Sequence, residues 1–143
     1  MQLAILFLIL IFSIDMVFGL GFRFYQFPYF DMALHFLGGF FVAMFFISFF
    51  GRNQKPDKSS IKGQFLIFAF IILGAVIFVG VFWEFAEYLA TVFIADSLYQ
   101  NYGIVCCMCN LDDSVGDLAF DIFGSIIFIL LYRIYRVKYR VKS

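Results

Sequence analysis

Charge is scarce in this sequence, and the little there is cancels. Asp and Glu number ten, Lys and Arg number ten, and together they are 14% of 143 residues, so the total charge gives no sign of nucleic acid or any other charged partner. Histidine occurs once, as His35, which leaves the identity of any bound metal open. No internal repeat, low-complexity tract or linker interrupts the chain, so a single domain over residues 1–143 is expected. No Lys or Arg precedes the first apolar run, no small-x-small pattern closes it, and Asp15 lies inside it. These absences argue against a cleaved signal peptide, and a retained helix is expected.

What the chain has instead is apolar bulk: 64% hydrophobic residues, 24 Phe and a mean hydropathy of +0.99. Soluble domains are about half apolar, so this composition predicts an integral membrane protein in contact with the lipid bilayer. At about 20 residues per crossing, the length suits one compact bundle of four spans. The expected fold class is all-α, a four-helix transmembrane bundle with helices at about 1–20, 30–50, 65–94 and 113–135 and a basic tail at 136–143. The third segment exceeds one crossing and is expected to tilt, to kink near Gly74 or Gly80, or to end in an interfacial turn carrying Tyr88. Residues 21–29, with Pro28 as a helix stop, 51–64, with Pro56, and 95–112 read as loops. The abundant Phe and Tyr fit interfacial belts, lipid-facing surface and bundle packing.

The basic residues set an orientation. Arg52, Lys55, Lys58 and Lys62 fall in the second loop, and Arg133, Arg136, Lys138, Arg140 and Lys142 fall at the C-terminal end. The positive-inside rule then places the second loop and both termini in the cytoplasm of a cell with the protein in its inner (plasma) membrane. With that topology Asp31 and His35, Glu84 and Glu87, and Asp113, Asp117 and Asp121 all lie in the outer halves of their helices. Asp15 lies toward the same side.

Helical spacing gathers these groups further. Asp31 and His35 are four apart, and Gly38 and Gly39 continue their face. Glu84 and Glu87 are three apart, with Gly80 four residues earlier; Asp113, Asp117 and Asp121 run on toward Gly124 and Ser125. Small residues let helix backbones approach closely, so each acidic stripe is also a packing stripe. A charged side chain near the bilayer centre costs about 2.5–3.5 kcal/mol on insertion scales, so the stripes need compensation. Against as many as seven carboxylates, the one fixed cation on that side is Arg23. Carboxylates gathered in this way take up protons or bind a cation, and an oxygen-rich set with one imidazole suits Mg, Mn, Zn or Fe as divalent ions. The candidate metal ligands are Asp31, His35, Glu84, Glu87, Asp113, Asp117 and Asp121, and the candidate catalytic groups are His35, Glu84 and Arg23. Hydrogen-bonded carboxylates that simply hold the helices together are the plainer alternative.

Three motifs in this order, Asp31-x-x-Leu34-His35-x-x-Gly38-Gly39, Trp83-Glu84-x-x-Glu87 and Asp113-x-x-x-Asp117-x-x-x-Asp121-x-x-Gly124, resemble the YjdF-like small inner-membrane proteins. More distantly they are similar to the VanZ-like family, whose pattern is an Asp-Lys-x-x-His helix, a Glu-x-x-Gln helix and an Asp-x-x-x-Asn-x-x-Gly helix. Met32, Glu87 and Asp121 depart from that pattern and make this set more acidic. The VanZ-like resemblance implies a link to glycopeptide-antibiotic resistance and the cell envelope, and supplies no reaction.

Two function classes follow as expectations. One is a metal-dependent membrane enzyme acting near the outer face on a lipid or polyprenyl phosphate, with Arg23 as a phosphate contact. The other is a proton- or cation-coupled carrier using the same carboxylates, with dimerisation into a homo-oligomer supplying what four short spans lack. A structural assembly partner whose acidic face docks another subunit is a third. Cys106-x-x-Cys109, beside Cys107, has dithiol spacing but equally suits a structural bridge.

Overall fold

The computed structural model describes residues 1–21, 28–51, 61–103 and 111–140. Among them every regular element is helical: α1 (Gln2–Ile14) runs into a π-helical turn (Asp15–Gly21), followed by α2 (Pro28–Phe50), α3 (Ile61–Phe93), α4 (Ala95–Tyr102) and α5 (Leu111–Arg140). Three of these, α2, α3 and α5, are long and apolar enough to cross a membrane, whereas the apolar stretch Gln2–Phe18 is shorter.

Several expected boundaries move, each for a local reason. Pro28 opens α2 instead of stopping a helix, because a first-turn residue has no intrahelical use for the N–H that proline lacks. The third helix begins earlier, at Ile61, and runs unbroken through Gly74, Gly80 and Tyr88 to Phe93. The apolar run measured only its lipid-compatible part. α5 is likewise longer at both ends: Asp112 and Asp113 suit a helix N-terminus, and the basic residues after Tyr132 are good helix formers at a C-terminus. The segment 95–112, read as loop, contains α4, which ends at Gly103 with φ 64° and ψ 22°. That left-handed conformation is one glycine adopts without strain, and the Gly103 N–H closes the helix on Tyr99 O at 2.9 Å. Finally, the first helix is α-helical only to Ile14, with π spacing from the buried Asp15 onward.

Ring contacts fix the helix directions. Phe36 meets Phe123, and Phe40 meets Phe128, so α2 and α5 run parallel. Phe68 meets Tyr132, and Arg133 stands over the Phe65 ring at 5.0 Å, while Gly80 lies beside Asp121, so α3 runs antiparallel to α5. α1 stacks on α2 through Phe7 and Phe41, with ring centroids 4.4 Å apart.

This arrangement divides the bundle lengthwise. One half holds an apolar core of Ala43, Ile47, Phe68, Ile72, Val76 and Ile129. The other half collects the buried polar groups Asp15, His35, Asp117 and Asp121. The outer surface is apolar: Phe70, Phe78 and Phe93 of α3 are 72%, 64% and 75% exposed, which suits hydrocarbon and not water.

Candidate functional site

His35 is the hub of the polar half. It sits on the face of α2 that also carries Asp31, Gly38 and Gly39, and it is 6% exposed. Its Nδ1 N–H donates to Asp121 Oδ2 of α5 at 3.4 Å. On the other side of the ring, Nε2 lies 3.7 Å from Glu84 Oε1 of α3 and 3.9 Å from Asp31 Oδ1. Those two separations exceed hydrogen-bonding distance. Nε2 thus faces the space between Glu84 and Asp31.

Glycines make the Asp121 position possible. A Cβ on Gly39 would collide with the Asp121 backbone, and one on Gly124 would collide with the Phe36 carbonyl, so α2 and α5 touch backbone to backbone. A Cβ on Gly80 would stand 2.5 Å from Asp121 Oδ2, and one on Gly38 would stand 3.6 Å from Oδ1. The Asp121 carboxylate therefore fills a notch left by glycines of two other helices. Ser125, fully buried one turn on, satisfies itself on Ile122 O at 2.7 Å.

The remaining carboxylates converge on the Nε2 side. Donor atoms of His35, Glu84 and Asp117 lie within 4.8 Å of one another, as do those of Asp31, His35 and Glu87, and those of Asp31, Asp113 and Asp117. Asp31, His35 and Asp117 each belong to two of the three sets, so the sets are overlapping corners of one space between α2, α3 and α5. Glu84 Oε1 is buried there and accepts no hydrogen bond. Glu87 accepts one from Trp83 Nε1 at 3.0 Å, an i, i+4 pair on α3. Asp121 belongs to none of these sets; it holds the far side of the imidazole.

The fixed cations whose side chains are placed stand well away. Arg133 lies twelve residues beyond Asp121 on α5, about 18 Å along the axis. Arg23, expected to contact phosphate, and Cys106, Cys107 and Cys109 lie outside the described residues. Two features escaped the sequence reading: the Trp83 to Glu87 bond, for which the four-residue spacing was the available signal, and a cavity of about 150 Å³ on the Asp121 side of the ring, for which there was none.

Chemically, this is a compact oxygen-rich donor set with one oriented imidazole nitrogen, in a helical bundle of membrane-compatible length. Such a set can hold a divalent cation or exchange protons among its members.

The family described as Predicted membrane protein (DUF2238) matches residues 1–138 of the chain, and the chain belongs to it. An uncharacterized protein of Thermotoga maritima is 32% identical over 128 residues, which are 89% of this chain and 57% of that relative. The chain thus spans little more than half the length of the relative it matches. No solved structure matches.

Proposed function

We propose that this member of the DUF2238 family binds a divalent cation at Asp31, His35, Glu84, Glu87, Asp113 and Asp117 and uses it on the phosphate of a membrane lipid or polyprenyl carrier. The observation that carries the reading is the orientation of the lone histidine. Asp121 Oδ2 accepts the hydrogen bond from Nδ1, which leaves Nε2 facing a buried Glu84 oxygen that accepts no hydrogen bond. Metal-binding histidines are held in this way by a carboxylate on their other nitrogen. A buried carboxylate oxygen without a donor is costly, and a cation between it and Nε2 would remove the cost.

The cation would draw the negative charge of a phosphate head toward an otherwise repulsive acidic cluster and polarise a phosphoryl oxygen. A carboxylate of the cluster outside the cation's own ligands would serve as acid or base. In the four-span topology with both termini cytoplasmic, the cluster opens toward the outer face of the inner membrane, where such lipids carry envelope precursors. Basic residues at the opposite, apolar-core end of α5 favour that orientation.

Elemental analysis of the purified protein tests the reading, with Asp117→Asn and Glu84→Gln beside wild type. Stoichiometric metal in wild type, lost in both variants, is expected. Wild type free of metal after preparation with each of Mg, Mn, Zn and Fe overturns it.

A further inference from the structure

The cavity on the Asp121 side of His35 has a different character from the cluster. It is walled by Leu8, Ile11 and Phe12 of α1 and by Val76, Val79 and Trp83 of α3, with α2 behind it. Its polar lining is His35, Asp121 and the buried Asp15. Gly38, Gly39 and Gly80 also line the space, and α1 packs mainly on α2. Phe12 meets Trp83 edge to face at 6.0 Å, so an aromatic pair closes one end between α1 and α3.

With mostly apolar walls and a volume of about 150 Å³, the cavity has room for a hydrocarbon of benzene size. In a bundle whose surface is apolar, a slot between α1 and α3 that is partly open meets hydrocarbon and not water. It also adjoins the polar half at His35 and Asp121, so the slot and the cluster are neighbours across the imidazole. We propose that the slot holds the part of a lipid phosphate's hydrocarbon chain nearest its head while the phosphate lies at the cluster beyond His35. The slot would make the protein a reader of lipids by their chains: a flat, flexible chain segment fits between Val79 and Ile11, and the remainder leaves through the open side into the bilayer. This inference rests on the lipid-phosphate reading above for the head and stands separately for the chain.

Photolabelling in nanodiscs tests it, using phosphatidic acid with a diazirine in its acyl chain near the ester and, in parallel, a polyprenyl phosphate with a diazirine in its first isoprene units. Peptide mapping should find label concentrated on Leu8, Ile11 and Val79 relative to the exposed Phe70 and Phe78, and the better-labelling probe identifies the chain type. Ile11→Trp and, as a milder filling variant, Leu8→Phe should lose slot labelling while label on Phe70 persists. Label spread evenly over the lipid-facing surface, or slot label undiminished in the folded filling variants, overturns the proposal. Metal content measured on the same samples separates the two readings. Slot labelling in a protein that binds no metal leaves the chain site standing without the cation site, and metal without slot labelling does the reverse.

Discussion

His35 Nδ1 and Asp121 Oδ2, 3.4 Å apart, join α2 to α5 across 86 residues of sequence. The contact fixes which nitrogen of the imidazole faces the carboxylates of α3 and α5. Asp121→Asn keeps the shape and removes the charge that holds the Nδ1 proton. Divalent-cation affinity, measured by calorimetry, should fall about 10- to 100-fold, as for loss of a carboxylate behind a metal-bound histidine. An unchanged affinity would remove Asp121 from any positioning role.

The glycines of the α2 and α5 crossing should behave unlike glycines elsewhere in the bundle. Gly124→Ala and Gly39→Ala drive a methyl group into the backbone of the facing helix, and overpacking of this kind costs about 1–3 kcal/mol. Gly116→Ala and Gly74→Ala meet nothing within 4 Å and should be neutral or stabilising. Thermal unfolding in detergent orders the four. Equal shifts in all of them would contradict the close crossing.

Trp83 is the sole tryptophan, and its Nε1 donates to Glu87. Its emission is therefore a reporter at the edge of the cluster. Titration with Mn²⁺, a paramagnetic quencher, should dim it in wild type and much less in Glu84→Gln. Trp83→Phe keeps a ring and loses a hydrogen bond to a carboxylate, a change of about 1.5–3 kcal/mol when that carboxylate is charged. Unfolding of Trp83→Phe, Glu87→Gln and the double variant isolates that coupling.

The orientation has a direct assay in the native thiols. With the segment holding Cys106, Cys107 and Cys109 outside, a membrane-impermeant maleimide added to intact spheroplasts should label the protein before lysis. A cysteine placed at Lys142 should label only after lysis. The opposite pattern would turn the cluster toward the cytoplasm.

How much of this was legible in the sequence depends on the scale considered. Spacings of three and four residues put Asp31 with His35, Glu84 with Glu87, and Asp113 with Asp117 and Asp121 on shared helix faces, and the neighbouring glycines marked where backbones approach. Those are properties of single helices, and periodicity reports them well. The side of the His35 ring that each carboxylate meets is a property of three helices at once, and no spacing encodes it. Asp121 of α5 and Glu84 of α3 meet opposite nitrogens of the imidazole. Helix ends were also poorly legible, because an apolar run records how far the chain suits lipid, whereas α3 and α5 continue on polar residues that form helices equally well. α4 escaped for the related reason that its eight residues, Ala95–Tyr102, are mostly polar and carry no apolar run.

The parallel pairing of α2 with α5 has a consequence for how the protein is made. A ribosome releases α2 early and α5 last, with the antiparallel α3 between them, and segments assemble in the order in which they emerge. His35 therefore enters the membrane before its partner Asp121 has been synthesised, and Glu84 arrives before Asp117. The glycine crossing that seats α5 thus forms after α2 and α3 are already in the membrane. A chain truncated before residue 111 would leave His35 and two glutamates facing lipid, a state that membrane quality-control proteases can recognise by its exposed polar groups.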